Sequence, residues 1–237
     1  SGRQDLIDQV NEEIKIISGY LPKQLDKEEI TEIVKQILNT LLVSYPDNVI
    51  AIGITGQMHG IVYVDQEGHA VSPLYTWQDS RGNLSYQGTT YASYLHSFSG
   101  YGNVTDFYNR INGLVPKNAV TYCTIHAYIA MVLCKNVSPL LHVSDAASLG
   151  LYDLKRQKFE YDCTVPVTDA STVIGYYQNI PVAIAIGDNQ ASVLSTISDE
   201  NNLLLNIGTG SQVSIVSKTP ITGDNLECRP YVNGKYL

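Results

Sequence analysis

The sequence predicts an α/β fold from three observations. Short β-branched apolar runs typical of buried strands occur at Asn48–Ile54 and Val182–Ile186. Stretches with the i, i+3, i+4, i+7 apolar spacing of amphipathic helices lie before and between them. A chain of 237 residues with 44% hydrophobic residues is long enough to form a core, as one large or two small domains. Strands alternating with helices of these lengths indicate a mixed sheet with flanking helices.

Apolar periodicity predicts four helices. The first covers residues 4–18, and the second starts at Asp26, where Glu29 completes a capping-box-like pattern, and runs through Leu42. The other two are predicted over residues 122–135 and 189–197.

β-Branched and apolar runs predict the strands. Besides the two above, these runs are Ile61–Val64, Leu149–Leu154, Leu203–Ile207 and Gln212–Ser217. The last two flank Gly208-Thr209-Gly210-Ser211, which predicts a hairpin with a glycine-rich turn.

Charge and composition exclude several classes of protein. The net charge of −8 disfavours a protein that reads a phosphate backbone, so nucleic acid is not an expected partner. No apolar run reaches the roughly 18 residues of a transmembrane helix, so no membrane association is expected. Four widely spaced cysteines lack zinc-site spacing, and we expect buried thiols in a reducing, cytoplasmic environment.

Two polar segments directly follow predicted strands. Gly56-Gln57-Met58-His59-Gly60 follows the first strand, and Gly187-Asp188-Asn189-Gln190 follows the apolar run that ends at Ile186. The carboxyl ends of strands in an open α/β sheet face the ligand crevice, and an aspartate at a helix N-terminus is well placed to act as a general base. Each segment also has an ordinary interpretation: a strand-to-turn connection with a surface histidine, and a simple N-cap.

The segment Trp77-Gln78-Asp79-Ser80-Arg81 combines an aromatic face, an amide, a carboxylate and a guanidinium. That mixture suits a polyhydroxylated ligand. A surface loop in which Asp79 pairs with Arg81 is an equally good interpretation.

The backbone N–H groups of Gly208-Thr209-Gly210 could form an anion-binding nest for phosphate. A lone Gly-Thr-Gly is also typical of an ordinary hairpin turn.

The order and spacing of these segments resemble those of the FGGY carbohydrate kinase family, in particular its sedoheptulokinase branch. The resemblance runs from about residue 28 to the end. The segments that carry it are Ile52–Gly60, Thr76–Arg81, Thr124–Tyr128, Ser144–Ser148, Ile186–Ser192, Leu205–Val213 and Arg229–Leu237.

The resemblance implies an actin-like, ribonuclease-H-like ATPase fold with two domains around a cleft. It implies transfer of the γ-phosphate of Mg-ATP to a ketose, with sedoheptulose as the expected substrate and xylulose or ribulose as alternatives. Sugar and ATP would be the small-molecule partners, and ATP and Mg²⁺ the cofactors. The implied site residues are Asp188 as catalytic base and metal-associated carboxylate; Gln57, Met58, His59, Trp77 and Asp79 at the sugar; and Gly208, Thr209 and Gly210 at the ATP phosphates.

The sequence also departs from the family pattern. The family's N-terminal phosphate hairpin and most of its C-terminal domain have no counterpart here, and position 127 is Ala where relatives commonly carry Asp. The resemblance therefore implies an incomplete two-domain kinase. Residues 1–180 would be a partial sugar-binding domain, and residues 181–237 the beginning of the ATP-binding domain. The alternative function is an inactive fragment that at most binds a sugar or a partner.

Overall fold

A computed structural model of the chain describes residues 9, 12, 13, 27–46, 48–199, 201–207, 211–221, 223 and 226–237. Two compact units divide the chain, Ser1–Ser44 and Tyr45–Leu237. The predicted helix over residues 4–18 lies largely outside the described residues, although Gln9, Glu12 and Glu13 are helical. The domain boundary expected before Pro181 stays a prediction.

The first unit contains one described helix, and the second contains five. They are α1 (Lys27–Ser44), α2 (Tyr91–Tyr94), α3 (Gly102–Ile111), α4 (Ile125–Leu133), α5 (Val143–Ser148) and α6 (Asp188–Thr196). Short 3₁₀ turns occupy Arg81–Asn83 and Val232–Gly234.

All described strands are short. They are β1 (Thr55–Gly56), β2 (Val62–Val64), β3 (Ser85–Tyr86), β4 (Thr89–Thr90), β5 (Thr121–Cys123), β6 (Leu141–His142), β7 (Tyr152–Asp153), β8 (Lys158–Phe159), β9 (Val167–Thr168), β10 (Val173–Tyr177), β11 (Ile180–Ala183), β12 (Ile186–Gly187), β13 (Leu203–Asn206) and β14 (Gln212–Ile215).

Strand pairing is mixed, as the sequence predicts. Strands β1 and β12 pair in parallel, as do β6 and β9. Antiparallel pairs are β2 with β5, β3 with β4, β7 with β8, β10 with β11, and β13 with β14.

Several predicted elements are confirmed. The second predicted helix is α1, the helix predicted over 189–197 is α6, and the apolar run Ile61–Val64 contains β2. The predicted hairpin is β13 with β14, although its turn, Gly208–Gly210, lies outside the described residues.

Besides the predicted strand Val182–Ile186, which is divided between β11, ending at Ala183, and β12, beginning at Ile186, three element predictions need correction. The run Asn48–Ile54 is not a continuous buried strand: Ile52 is buried and bridges Val182, but Ile50 is 85% exposed. The helix predicted from residue 122 begins at Ile125, because Thr121–Cys123 pairs with β2 instead.

In the third correction, the strand predicted over Leu149–Leu154 is reduced to β7. Leu149 caps α5, and the two residues after it, Gly150 and Leu151, have φ of 85° and 55°. These left-handed conformations turn the chain, so the strand begins only at Tyr152.

The main core of the second unit is formed by the β2–β5 pair, helix α4, and Leu141, Leu149 and Val165. Its largest fully buried side chains include Tyr63, Ile61, Met131, Leu141 and Leu149. This core supports the loop that leaves β1, because Gly60 and Ile61 immediately follow it.

A buried carboxylate accounts for part of the tyrosine content of the core. Asp106 is fully buried on α3 and accepts hydrogen bonds from Tyr63 Oη at 2.6 Å and Tyr161 Oη at 2.7 Å. Arg110 Nε donates to the same carboxylate at 2.6 Å. Tyrosine at these positions fills apolar volume and also supplies the donors that a buried carboxylate needs, which phenylalanine cannot do.

Within the described residues, no helix has the length and apolar character needed to cross a membrane.

Candidate active site

Strands β1 and β12 bring the two predicted polar segments together. They run parallel, with Thr55 opposite Ile186 and Gly56 opposite Gly187. Gln57 and Asp188 therefore leave the sheet side by side at the carboxyl ends of adjacent strands. This is the edge where α/β sheets place ligands.

Asp188 is the first helical residue of α6, and Gly187 is the N-cap. The Asp188 side chain is exposed, and its Oδ1 accepts a hydrogen bond from the backbone N–H of Asn189 at 2.8 Å. The carboxylate thus satisfies one helix N-terminal donor from inside the helix, so the interpretation of Asp188 as the N-cap is wrong, and the carboxylate remains accessible at the strand ends.

Met58 is buried against α6. A Cβ atom at Gly187 would lie 2.6 Å from Met58 Cγ and 2.8 Å from Gln190 Oε1. Glycine at position 187 therefore permits the close approach of the Gln57–His59 loop to α6. Gln190 is fully buried, and neither amide atom has a hydrogen-bond partner among the described residues.

His59 is fixed in a defined orientation. It has φ of 71°, its Nδ1 lies 2.7 Å from the carbonyl oxygen of Ser148, and its ring stacks on Tyr101 with centroids 4.2 Å apart. A carbonyl oxygen only accepts, so Nδ1 carries the hydrogen. Burial lowers the pKa of His59, so the ring is neutral near pH 7 and Nε2 is an acceptor.

The support for His59 comes from α5. The hydroxyl of Ser148 donates to the carbonyl of Asp145, whose carboxylate accepts from His126 Nε2 at 2.9 Å. Both His126 and Asp145 are fully buried, and the His126 ring lies against Gly56, 3.1 Å from where its Cβ would be. A single buried chain of contacts thus joins the end of β1 to His59.

The segment of Trp77 and Asp79 approaches the same region through residues 99–101. The hydroxyl of Ser99 donates to the carbonyl of Asp79 at 3.1 Å. Gly100, at φ of 87°, leaves no room for a side chain beside the carbonyl of Trp77. The Trp77 side chain is 54% exposed.

Asp79 pairs with Arg81, as the alternative interpretation of this segment predicts. Its Oδ1 accepts from Arg81 Nε at 2.7 Å and from the backbone N–H of Arg81 at 3.0 Å. Arg81 also donates to Asn109 and lies over the ring of Tyr75. Its side chain is only 22% exposed, so the pair is not a simple surface contact.

The C-terminal segment adds charged residues to the site that sequence reasoning did not assign. Glu227 and Arg229 form a bidentate ion pair, and the Tyr101 hydroxyl donates a hydrogen bond to Glu227 at 3.4 Å. Burial is the main cause of the lowered pKa of His59, but the charges of Arg229, Glu227 and Asp188 also act on it. The Arg229–Leu237 motif was a sequence signal that could have identified Arg229 as a site residue, whereas no sequence signal pointed to Tyr101.

The predicted phosphate residues Gly208, Thr209 and Gly210 lie outside the described residues. The residues that follow them, Ser211 and Gln212, line a cavity of about 350 Å³ together with Asn189, Glu227 and Arg229. Because Asn189 directly follows Asp188, this cavity lies next to the predicted catalytic base.

The donor set at the strand ends fits Mg²⁺ bound chiefly through phosphates. Proteins usually hold Mg²⁺ with one or two carboxylates plus substrate phosphates and water. Asp188 supplies one exposed carboxylate, and the described residues contain no group of three or more His, Cys, Asp or Glu side chains placed to hold a metal.

Comparisons with known sequences find sugar kinases over nearly the whole chain. Sedoheptulokinase of Homo sapiens is 27% identical over 266 positions, covering 93% of this chain and 55% of the human protein. Sedoheptulokinase of Mus musculus is 30% identical, covering 93% of this chain and 56% of the mouse protein. The chain thus spans about half the length of these relatives.

Solved structures of sugar kinases share the fold. A xylulose kinase from Brucella ovis has a TM-score of 0.74 at 15% identity, over 90% of this chain and 50% of that one. A ligand-bound xylulose kinase from Lactobacillus acidophilus has a TM-score of 0.73 at 14% identity, over 91% of this chain and 52% of that one. The expected actin-like ATPase fold is confirmed, as is the resemblance to FGGY carbohydrate kinases and sedoheptulokinases.

A second similarity covers the start of the chain. The family model described as "Yqey-like protein" matches residues 1–54. Because the sedoheptulokinases align with 93% of the chain, the two similarities overlap. The match ends at Ile54, whose carbonyl accepts from Ile186 N–H in the second unit, and it includes none of the predicted site residues.

Proposed function

Starting from a chain homologous to sugar kinases, we propose that it is the sugar-binding and catalytic-base part of an ATP-dependent ketose kinase. The observation that carries this proposal is the parallel register of Gly56 with Gly187, which sets the Gln57–His59 loop beside Asp188. The substrate that we propose is sedoheptulose, because two sedoheptulokinases align with 93% of the chain.

In the proposed reaction, Asp188 accepts the proton of the terminal sugar hydroxyl. The hydroxyl oxygen forms a bond to the γ-phosphorus of ATP while the bond to the bridging oxygen breaks, and ADP leaves with that electron pair. Asp188 would be the carboxylate that holds Mg²⁺, and the ion, when bound, would neutralise phosphate charge. The remaining work of the protein is positioning.

The sugar would be held by the loop and its neighbours. Neutral His59 offers Nε2 as an acceptor for a sugar hydroxyl, and Gln57 offers an amide that both donates and accepts. Trp77 presents an exposed aromatic face, which suits the C–H faces of a sugar chain. We propose that Met58 supports this loop from below and that Gly208–Gly210 bind the ATP phosphates. We propose that Asp79 contributes to sugar binding through its ion pair with Arg81.

A second candidate function is sugar binding without phosphoryl transfer, because the contacts that fix His59, from Ser148 and Tyr101, are formed within this chain. A protein of this kind would keep the β1 loop as its binding site and have no turnover.

A coupled ADP-release assay on the 237-residue chain separates the two functions. The chain is given Mg-ATP with sedoheptulose, xylulose, ribulose or glycerol in turn. Turnover with sedoheptulose supports the kinase and its substrate, and faster turnover with xylulose would replace sedoheptulose by xylulose. Binding of a sugar without ADP release would support the second function.

A further inference from the structure

The C-terminal segment holds Arg229 in a fixed position. The backbone N–H of Arg229 donates to the Leu237 carbonyl at 2.9 Å, and the Leu237 N–H donates to the Arg229 carbonyl at 2.8 Å. Its side chain is also held by two hydrogen bonds: Nε donates to Glu227 Oε1 at 2.8 Å, and Nη2 donates to Glu227 Oε2 at 2.7 Å. Such a pair fixes the plane of the guanidinium as well as its distance.

The two members of the pair differ in burial: the Arg229 side chain is 22% exposed, and the Glu227 side chain is 57% exposed. Burial alone would raise the pKa of Glu227, but the hydrogen bonds and charge of Arg229 outweigh it, and the pKa lies below its usual value. Burial would likewise lower the pKa of Arg229, but Glu227 outweighs it, with Asp188 adding to the effect. Both groups therefore keep their charge, and Arg229 lies within the field of Asp188.

Arg229 is connected both to the proposed sugar site and to the proposed phosphate site. Through Glu227 and Tyr101 it is connected to His59 in the sugar loop. It also lines the 350 Å³ cavity, together with Asn189 beside the proposed base and Ser211 beside the proposed phosphate turn.

We infer that Arg229 binds the phosphoryl group that passes from the nucleotide to the sugar, and that Glu227 is the residue that positions it. The inference rests on the proposed function. Guanidinium has five N–H donors, and the pair with Glu227 uses two of them. Phosphoryl transfer depends mainly on positioning and charge neutralisation, and a planar guanidinium suits the oxygens of a phosphate.

The inference separates a sugar from its own phosphate ester. If Arg229 contacts the phosphoryl group, its loss weakens binding of the ester and leaves binding of the free sugar unchanged. If Arg229 instead contacts the sugar, both affinities fall together. Two ligand pairs serve as probes: sedoheptulose with sedoheptulose 7-phosphate, and xylulose with xylulose 5-phosphate.

The experiment is isothermal titration calorimetry on the 237-residue chain and on Arg229→Gln. Arg156→Gln is the matched control, because it removes one positive charge from an exposed pair with Asp153 on the β7–β8 hairpin. We expect Arg229→Gln to weaken ester binding about ten- to a hundred-fold, the loss typical of a hydrogen-bonded charge. Free-sugar affinity should stay within about two-fold, and Arg156→Gln should change neither.

Each other result contradicts the inference. Equal losses for sugar and ester would make Arg229 a sugar contact, and no loss for either would make it a structural ion pair. If the parent chain binds no sugar and no ester, the proposed function fails and the inference fails with it.

Two further variants keep the test decisive if Arg229→Gln does not fold. Arg229→Lys keeps the charge but not the fork geometry, and Glu227→Gln keeps the shape of the positioning group but not its charge. Both should weaken ester binding selectively, by less than Arg229→Gln. If both instead leave the ratio of ester to sugar affinity at the parent value, the inference is wrong.

Discussion

The ring of His59 lies nearly parallel to the ring of Tyr101, with centroids 4.2 Å apart and an interplanar angle of 11°. Tyr101 is the N-cap residue of α3, and His59 belongs to the loop that leaves β1. The stack therefore packs the proposed sugar loop against α3. The buried carboxylate of Asp106, also on α3, accepts hydrogen bonds from two tyrosine hydroxyls. The orientation of His59 depends on this packing as well as on its bond to Ser148.

Gly187 should be less tolerant of substitution than Gly53. In Gly187→Ala the new methyl group would meet Met58 Cγ at 2.6 Å, whereas the site at Gly53 has no atom within 4 Å. Displacing Met58 moves the loop that it supports, so we expect Gly187→Ala to weaken sugar binding several-fold and to lower stability by about 1–3 kcal/mol. Titration calorimetry and urea unfolding measure the two effects. Equal behaviour of the two variants would show that the Met58 contact does not position the loop.

Asp188→Asn should slow phosphoryl transfer strongly and spare sugar binding. The amide keeps the shape of the carboxylate but cannot accept the hydroxyl proton, an effect of about 10²–10⁴-fold for a general base. For any preparation that turns over, kcat is measured together with the Kd of the sugar. An unchanged kcat would contradict the role of Asp188 as base.

Asp106→Ala should be among the most destabilising substitutions of the second unit. It leaves the hydroxyls of Tyr63 and Tyr161 without their acceptor and removes a partner of Arg110. Each buried group left unpaired costs about 1–3 kcal/mol. Tyr161→Phe removes a single hydroxyl, so its loss of unfolding free energy should be clearly smaller. Equal losses in urea unfolding would show that the carboxylate is not the centre of this network.

Stability should fall as the pH drops below about 6.5, the ordinary pKa of histidine. Burial lowers the pKa values of both His59 and His142 in the folded chain. The unfolded chain therefore binds more protons in this window, so the contribution of these neutral rings is present above pH 6.5 and is lost as the pH falls through the lowered values. His59→Gln should reduce the slope of unfolding free energy against pH between 6.5 and 5. A slope equal to that of the parent would contradict a buried neutral His59.

The sequence was sufficient for the parts of the fold whose pattern is local. The periodicity of α1, the head of α6 after an apolar run, and the two strands around Gly208–Gly210 all follow from neighbouring residues. It could not show that β1 and β12 are adjacent, because strand pairing across more than 100 residues leaves no local signal. The resemblance to a family assigned both Gln57 and Asp188 to one site, and the strand register of the structure shows that they lie side by side.

Other features of the structure could not be predicted from the sequence, for identifiable reasons. The β10–β11 hairpin spans Val173–Ala183, where the sequence pattern predicts a strand only from Val182 onward. Its turn uses Gln178 and Asn179, both at positive φ, where Asn-Gly would have been the recognisable pair. Charged partners distant in sequence, such as Glu227 beside Tyr101, are likewise a product of tertiary packing.

The most direct test of the proposed sugar site compares His59→Ala with His69→Ala by titration calorimetry against sedoheptulose and xylulose. His59 is held by Ser148 and Tyr101 beside Asp188, whereas the side chain of His69 is 74% exposed on the turn after β2. We predict that His59→Ala weakens sugar binding about ten-fold, because it removes a hydrogen-bond partner of the ligand, and that His69→Ala binds like the parent. Sugar affinity in His59→Ala equal to that of the parent would contradict the placement of the sugar at this loop.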